Sequence, residues 1–295
     1  MEDAIKKNNQ VSVFLEGLQE TDAHIVDTLI EERCPSFVSH WSWPVVRPTL
    51  YSMLGYKKAR NMADALMQLN GRRSFEYLSQ ELDVDVSIDQ LHHLPEKGRV
   101  VVAANHPTGL ADGVAVWDAL MQKRQDIVFF ANADAIRVNP QFQDVIIPIE
   151  WVAEKRSPAK TRETLKRAAE AFAEEKCIVI FPSGKLAKRI DGRLTEQDWF
   201  PTVVSLARKQ KAPIAPLHVK AKNSWLFYKL SQINGELRDI TLFHELLNKK
   251  GARFDMSVGP LIAPDDLAGD ASEVTDRLKH HVAYELAKNP DKPFN

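Results

Sequence analysis

An imidazole serves as a base at neutral pH when a carboxylate holds one ring nitrogen and leaves the other free to take a proton. His106 and Asp112 are the residue types for this. They occur in Asn105-His106-Pro107-Thr108-Gly109-Leu110-Ala111-Asp112-Gly113, directly after the apolar run Val100-Val101-Val102-Ala103-Ala104. Six positions apart, they cannot share a helix face through regular spacing. They meet only if Pro107–Ala111 forms a tight loop. Such a pair would act as a general base toward a hydroxyl, an effect on the order of 10²–10⁴-fold in rate. Asn105 and Gly109 fall on the same loop and are expected to shape it and face the substrate. The plainer alternative is a turn stapled by a His–Asp hydrogen bond.

A second apolar run, Ile178-Val179-Ile180-Phe181, leads into Pro182-Ser183-Gly184-Lys185-Leu186-Ala187-Lys188-Arg189. Gly184 permits close approach of backbone to a ligand. Turn amides near Gly184, with Ser183, Lys185, Lys188 and Arg189, suit a phosphate or a developing oxyanion. A solvated basic turn is the ordinary reading of such a cluster. A third run, Pro213-Ile214-Ala215-Pro216-Leu217-His218-Val219, passes into Lys220-Ala221-Lys222-Asn223-Ser224 and the aromatic Trp225-Leu226-Phe227-Tyr228. Those aromatics suit core packing, the wall of an acyl-chain groove, or a membrane contact.

Elements must bring these blocks together. Short strand-like runs at Arg99–Ala104, Ile127–Ala131, Val145–Trp151, Cys177–Pro182, Pro213–Ala221 and Phe254–Ile262 alternate with helical patterns. Helices are expected at Val114–Gln122, Pro158–Glu175 (opened by Ser157 as N-cap and Pro158 at its first position), Trp199–Gln210 and Ala271–Ala287. The alternation predicts an α/β fold on a mixed, mostly parallel sheet flanked by helices, over residues 86–295. In such folds ligands bind at strand ends, where His106 falls. Residues 1–85 read as a helical region. Within it, Trp41–Tyr51 reads as a proline-broken connector between helices, or as an interfacial anchor whose Arg47 meets lipid phosphate.

A net charge of -1 argues against non-specific nucleic-acid binding, so no nucleic-acid partner is expected. The two cysteines, Cys34 and Cys177, lack metal-site spacing and give no disulfide framework; no metal is expected, and a reducing, cytoplasmic setting fits. Met1–Gln10 lacks the apolar stretch of a signal peptide. No run of about 18 apolar residues offers a transmembrane helix, so a lipid substrate would be met from the membrane surface.

The three blocks, in this order, resemble the lysophospholipid acyltransferase superfamily, which includes bacterial 1-acylglycerol-3-phosphate acyltransferases. The likeness is greater to its hemolysin-like or ornithine-lipid-synthesis branch, whose Asn-His-Pro-x-Gly-x-x-Asp-Gly block matches Asn105–Gly113. Ile88–Leu91 and Leu94–Gly98 also look like that family's lead-in. The resemblance implies a glycerolphosphate-acyltransferase-like fold. It also implies acyl transfer from a thioester (acyl-CoA or acyl-carrier protein, as co-substrate rather than cofactor) to the hydroxyl of a lysophospholipid or related lipid. His106 would be the base and Asp112 its orienting partner. Arg137 or Arg156 would take the part of the second motif's phosphate-binding arginine. A peripheral site on the inner face of the cell membrane would follow.

Two departures stand out. Five residues separate His106 from Asp112, one more than in the superfamily's usual first motif. Ser183 stands where the third motif commonly has glutamate, which leaves the acceptor open, an acylated amino acid included. A thioesterase or lipid hydrolase using the same dyad on water, and a non-catalytic lipid-binding protein, are the competing readings.

Overall fold

The computed structural model describes residues 11–15, 23–150 and 152–295. Met1–Gln10, read above for a leader, and Trp151, read as a strand end, lie outside the described residues. The apolar runs form one sheet, in chain order β1 (Asp85–Asp89), β2 (Val100–Ala104), β3 (Ile127–Asn132), β4 (Ile146–Ile149), β5 (Cys177–Ile180), β8 (Ile214–Lys220) and β9 (Arg253–Val258). Their spatial order is β1-β9-β8-β2-β5-β3-β4. Every neighbouring pair is parallel except β8 with β9. The sheet is therefore mixed and mostly parallel, as expected.

Strands covered on both faces must be apolar throughout, and β2, Val-Val-Val-Ala-Ala, is buried at every position. Alternate residues feed two cores. Val100, Val102 and Ala104 pack with Phe75, Leu78 and Leu82 of α4 (Gly71–Leu82) and with α5 (Leu110–Leu120). Val101 and Ala103 pack on the other side with Phe172 of α7 (Pro158–Ala173), Val203 of α8 (Thr202–Lys209) and Leu278 of α12 (Ala271–His280). The result is three layers, helices on either face of the sheet. The Ser157 hydroxyl accepts from Lys160 N–H and Pro158 begins α7, as its sequence predicts. Between β8 and β9 run three helices, α9 (Trp225–Ile233), α10 (Gly235–Ile240) and α11 (Leu242–Leu247).

The region before β1 is helical: α1 (Ile25–Glu31), α2 (Trp43–Met53), α3 (Tyr56–Leu66) and then α4. Here the connector reading is corrected. Residues 43–51 are helix despite Pro48. Trp43 and Tyr51 pack edge-to-face, centroids 6.2 Å apart, into a core with Val26 and Ile30, and this burial outweighs the local cost of the proline. Arg47 is paired with Glu31 at 3.0 Å and lies 3.6 Å from Asp27.

Other differences are local. The run Asp-Val-Ser-Ile-Asp lacks the apolar density of a strand, yet parallel pairing with β9 makes it β1. A small antiparallel hairpin, β6 (Lys188–Ile190) with β7 (Arg193–Thr195), follows the second block. The last helix ends at His280 and runs into a wider π-type turn over His281–Glu285. No helix among the described residues is long and apolar enough to cross a membrane.

Candidate active site

β8, β2 and β5 are adjacent and parallel, so the three blocks leave the sheet at one edge. From β2 the chain turns through Asn105–Gly109 into α5, which begins at Leu110, four residues before the expected Val114. Asp112 thus lies in the first turn of a helix rather than beyond a loop. An acidic side chain there interacts favourably with the helix dipole. Its Oδ2 accepts from Thr108 N–H at 2.8 Å and Gly109 N–H at 2.9 Å, and Oδ1 from the Thr108 hydroxyl at 2.5 Å. The residue added between histidine and aspartate is absorbed by this wrap around the carboxylate.

His106 Nδ1 lies 2.9 Å from Oδ2 of Asp112, whose side chain has no exposed surface. The contact is close but bent away from a linear hydrogen bond. The imidazole stacks on Phe181, from the end of β5, with centroids 4.3 Å apart. The ring keeps 17% of its surface open. Two further contacts fix the turn: Asn105 exchanges hydrogen bonds with the Val219 backbone on β8, donating at 2.8 Å and accepting at 2.7 Å. Asn223 donates to the Thr108 carbonyl at 3.2 Å.

Gly109 has φ +94°, and a Cβ there would meet Leu186 Cδ2 at 2.9 Å. The backbone conformation calls for glycine, and a side chain there would also have to displace the Leu186 methyl.

The second block departs from expectation. Ser183 is fully buried, and its hydroxyl donates to the Lys185 carbonyl at 2.7 Å, so it braces its own turn instead of facing a ligand. Gly184 N–H donates to the Phe181 carbonyl and Lys185 N–H to Ser183 Oγ, so these turn amides already have acceptors. Lys185, Lys188 and Arg189 are exposed on the rim. Arg137 is not brought into this group. Its guanidinium meets both oxygens of Glu32, at 2.7 and 2.9 Å, and Asp134 at 3.0 Å, joining the N-terminal helices to the short helix α6 (Asp134–Val138). Arg156 donates to the Glu150 carbonyl.

Sequence reasoning missed Glu196. It is buried after β7, accepting from His106 N–H at 3.3 Å through Oε2 and from Trp199 Nε1 at 3.1 Å through Oε1. Burial pushes its carboxyl above the ordinary range, only partly offset by the Trp199 indole and the His106 amide. It places a carboxylate under the histidine turn near Ser183. No local spacing signals it, since the contact spans 90 positions.

Residues 85–220 match the family model described as Acyltransferase. A lyso-glycine lipid O-acyltransferase of Phocaeicola vulgatus is 27% identical over 184 residues, covering 60% of this chain and 64% of that protein. Another of the same name, from Bacteroides thetaiotaomicron, is 24% identical over 152 residues, covering 52% of this chain and 54% of that protein. The chain therefore spans less than two thirds of each relative's length. The crystal structure of the 1-acyl-sn-glycerophosphate (LPA) acyltransferase PlsC from Thermotoga maritima superposes with a TM-score of 0.45 at 14% identity, over 90% of this chain and 98% of that one. The match over residues 85–220 takes in the His106 turn and the strands β2, β5 and β8 that carry the three blocks, so it is this segment of the chain that is similar to the Acyltransferase family.

Proposed function

We propose that this chain moves a fatty acyl group from a thioester donor, acyl-CoA or acyl-carrier protein, to the hydroxyl of a single-chain lipid acceptor. The observation that carries the reading is His106 Nδ1 at 2.9 Å from the buried Asp112 carboxylate, at the sheet edge where ligands of α/β folds bind. His106 Nε2, which has no hydrogen-bond partner among the described residues, takes the proton of the acceptor hydroxyl. The oxygen attacks the thioester carbonyl and forms a tetrahedral intermediate. Its collapse breaks the carbon–sulfur bond, and the imidazolium returns the proton to the leaving thiolate. Asp112 orients the ring and stabilises its positive charge.

The acceptor proposed is an acylated amino acid with a free hydroxyl and a carboxylate head. Two observations favour it over a lysophosphatidate. Both relatives reported above carry lyso-glycine lipid O-acyltransferase as their name. Arg137, one of the two arginines implied for a phosphate, is held by Glu32 and Asp134. Lys185, exposed at the rim, is the cation this reading offers to a single negative head. The enzyme would work from the inner face of the cell membrane.

The test is transfer of labelled acyl groups from both donors to a panel of lysolipids and N-acyl amino acids, with His106→Ala alongside. Transfer to an acyl amino acid, abolished in the variant with its melting temperature kept, is the expected result. Near-normal transfer by His106→Ala would overturn the mechanism. Free fatty acid released at equal rates with and without acceptor would replace it with hydrolysis.

A further inference from the structure

Beside the site lies a surface that acyl transfer itself does not require. The β6–β7 hairpin and α9 meet where the Arg189 guanidinium sits 5.1 Å from the centroid of the Tyr228 ring. Their outer faces expose Ile190 (53%), Leu194 (37%) and Trp225 (68%). Among these apolar groups stand the exposed cations Arg193, Lys222 and Lys229, the last with its ammonium 5.7 Å from the Trp225 ring. Among the described residues none of these three forms an ion pair, and Asp191, at the hairpin tip, is the carboxylate between the two short strands. In a chain of net charge -1 this is a local excess of positive charge.

We propose that the hairpin and the outer face of α9 are the docking surface for an anionic lipid bilayer. The proposal rests on the reading of the substrate as a lipid and identifies how the chain reaches it. Tryptophan beside lysine and arginine, with a few exposed aliphatics, is the mixture that suits the headgroup zone. Lysine-rich surface is depleted in protein–protein interfaces, which makes a protein occupant the poorer fit.

The surface is also tied to the chemistry. Ala187 N–H donates to the His106 carbonyl at 3.0 Å, just before the hairpin, and Glu196, just after it, accepts from His106 N–H at 3.3 Å. The hairpin is therefore strapped at both ends to the histidine turn. Docking it on a bilayer brings that turn to the plane where the acceptor head lies.

The experiment is sedimentation of the full chain with vesicles of phosphatidylglycerol and phosphatidylcholine, and with phosphatidylcholine alone. Arg193→Gln/Lys229→Gln and Ile190→Ser/Trp225→Ser serve as variants, all four positions being exposed. The parent is expected to bind the anionic vesicles preferentially. The charge variant should bind them roughly 25-fold more weakly, at about fivefold per cation, and the apolar variant should also bind less. Melting temperatures, and transfer to a short-chain acceptor dispersed as monomer, should match the parent. Parent-like binding by both variants overturns the proposal. So does loss of binding in Trp41→Ser/Val45→Ser with the hairpin variants unaffected, which moves the surface to α2. Absence of transfer to the dispersed acceptor in the parent sinks the enzymatic reading instead, and vesicle binding is read independently of it.

Discussion

Nδ1 of His106 stands 2.9 Å from Oδ2 of Asp112, a carboxylate that already accepts three hydrogen bonds from Thr108 and Gly109. The carboxylate is thus fixed by the turn before it meets the ring. Asp112→Asn keeps the shape but turns one acceptor into a donor facing donors. We expect kcat to fall by about 10²–10⁴. KM for the acceptor should change little, because Asp112 is buried behind the imidazole. Steady-state kinetics against both substrates measure this, and a variant turning over at the parent's rate would remove the dyad from the mechanism.

Glu196 gives a pH signature. Burial raises its folded-state pKa above the ordinary 4.5. A raised carboxyl means the folded chain holds this proton longer than the unfolded one does. Its contribution to stability is complete below about pH 4.5 and is lost as pH rises through the folded-state value. Glu196→Gln removes the titration while keeping an acceptor for His106 N–H. The melting temperature of the parent relative to this variant should decline as pH is raised from 4.5 toward neutrality. A constant difference across that range would mean that Glu196 is ionised throughout.

The parts of this site that the sequence exposes are those built from one continuous segment. His106, Asp112 and the strand before them lie within fourteen residues, Val100–Gly113, and the local run of Asn-His-Pro, glycine and aspartate is enough to suggest the pair. The alternation of apolar runs and helical patterns likewise exposes the parallel sheet, because strands covered on both faces must be apolar. What stays hidden depends on chain returning from afar. Glu196 reaches His106 across 90 positions, and Arg137 finds Glu32 across 105. Nothing near either residue announces its partner. Ser183 reads as a ligand group because its neighbours are glycine and lysine; only the folded turn shows its hydroxyl bonded inward. The α2 helix is hidden by Pro48, whose local signal tertiary packing of Trp43 and Tyr51 overrides.

A buried ion pair secures the start of α9. Glu245, on α11, accepts from Ser224 N–H at 2.8 Å and the Ser224 hydroxyl at 2.5 Å, and meets Lys249 at 3.0 Å. Both charged side chains are at most 5% exposed. Glu245→Ala leaves the Lys249 ammonium buried without its partner, at a cost of about 3–5 kcal/mol. Burial pushes the Glu245 carboxyl up, but the Ser224 donors and Lys249 outweigh it and hold it below its ordinary value. The pair's stabilisation is therefore present above pH 4.5 and lost as pH falls through the lower, folded-state value. Chemical denaturation at neutral and acid pH should show the gap between parent and variant narrowing on the acid side. A gap that widens with acid would contradict the assignment.

Gly109 separates two costs that usually travel together. Its φ of +94° is a backbone cost to any side chain, and the Leu186 methyl, 2.9 Å from where a Cβ would stand, is a packing cost. Gly109→Ala should destabilise by about 1–3 kcal/mol from the backbone alone, with the clash added. It should also lower kcat, since the Gly109 amide is one of the donors fixing Asp112. Leu186→Ala in the same chain removes the clash but leaves φ unchanged. The double variant should therefore be less destabilised than the sum of the singles, while its kcat stays depressed if the carboxylate is held by backbone geometry. Strict additivity in the thermodynamic cycle would show that Leu186 yields freely, and full recovery of kcat would show that packing against Leu186, not the Gly109 amide, aligns the dyad.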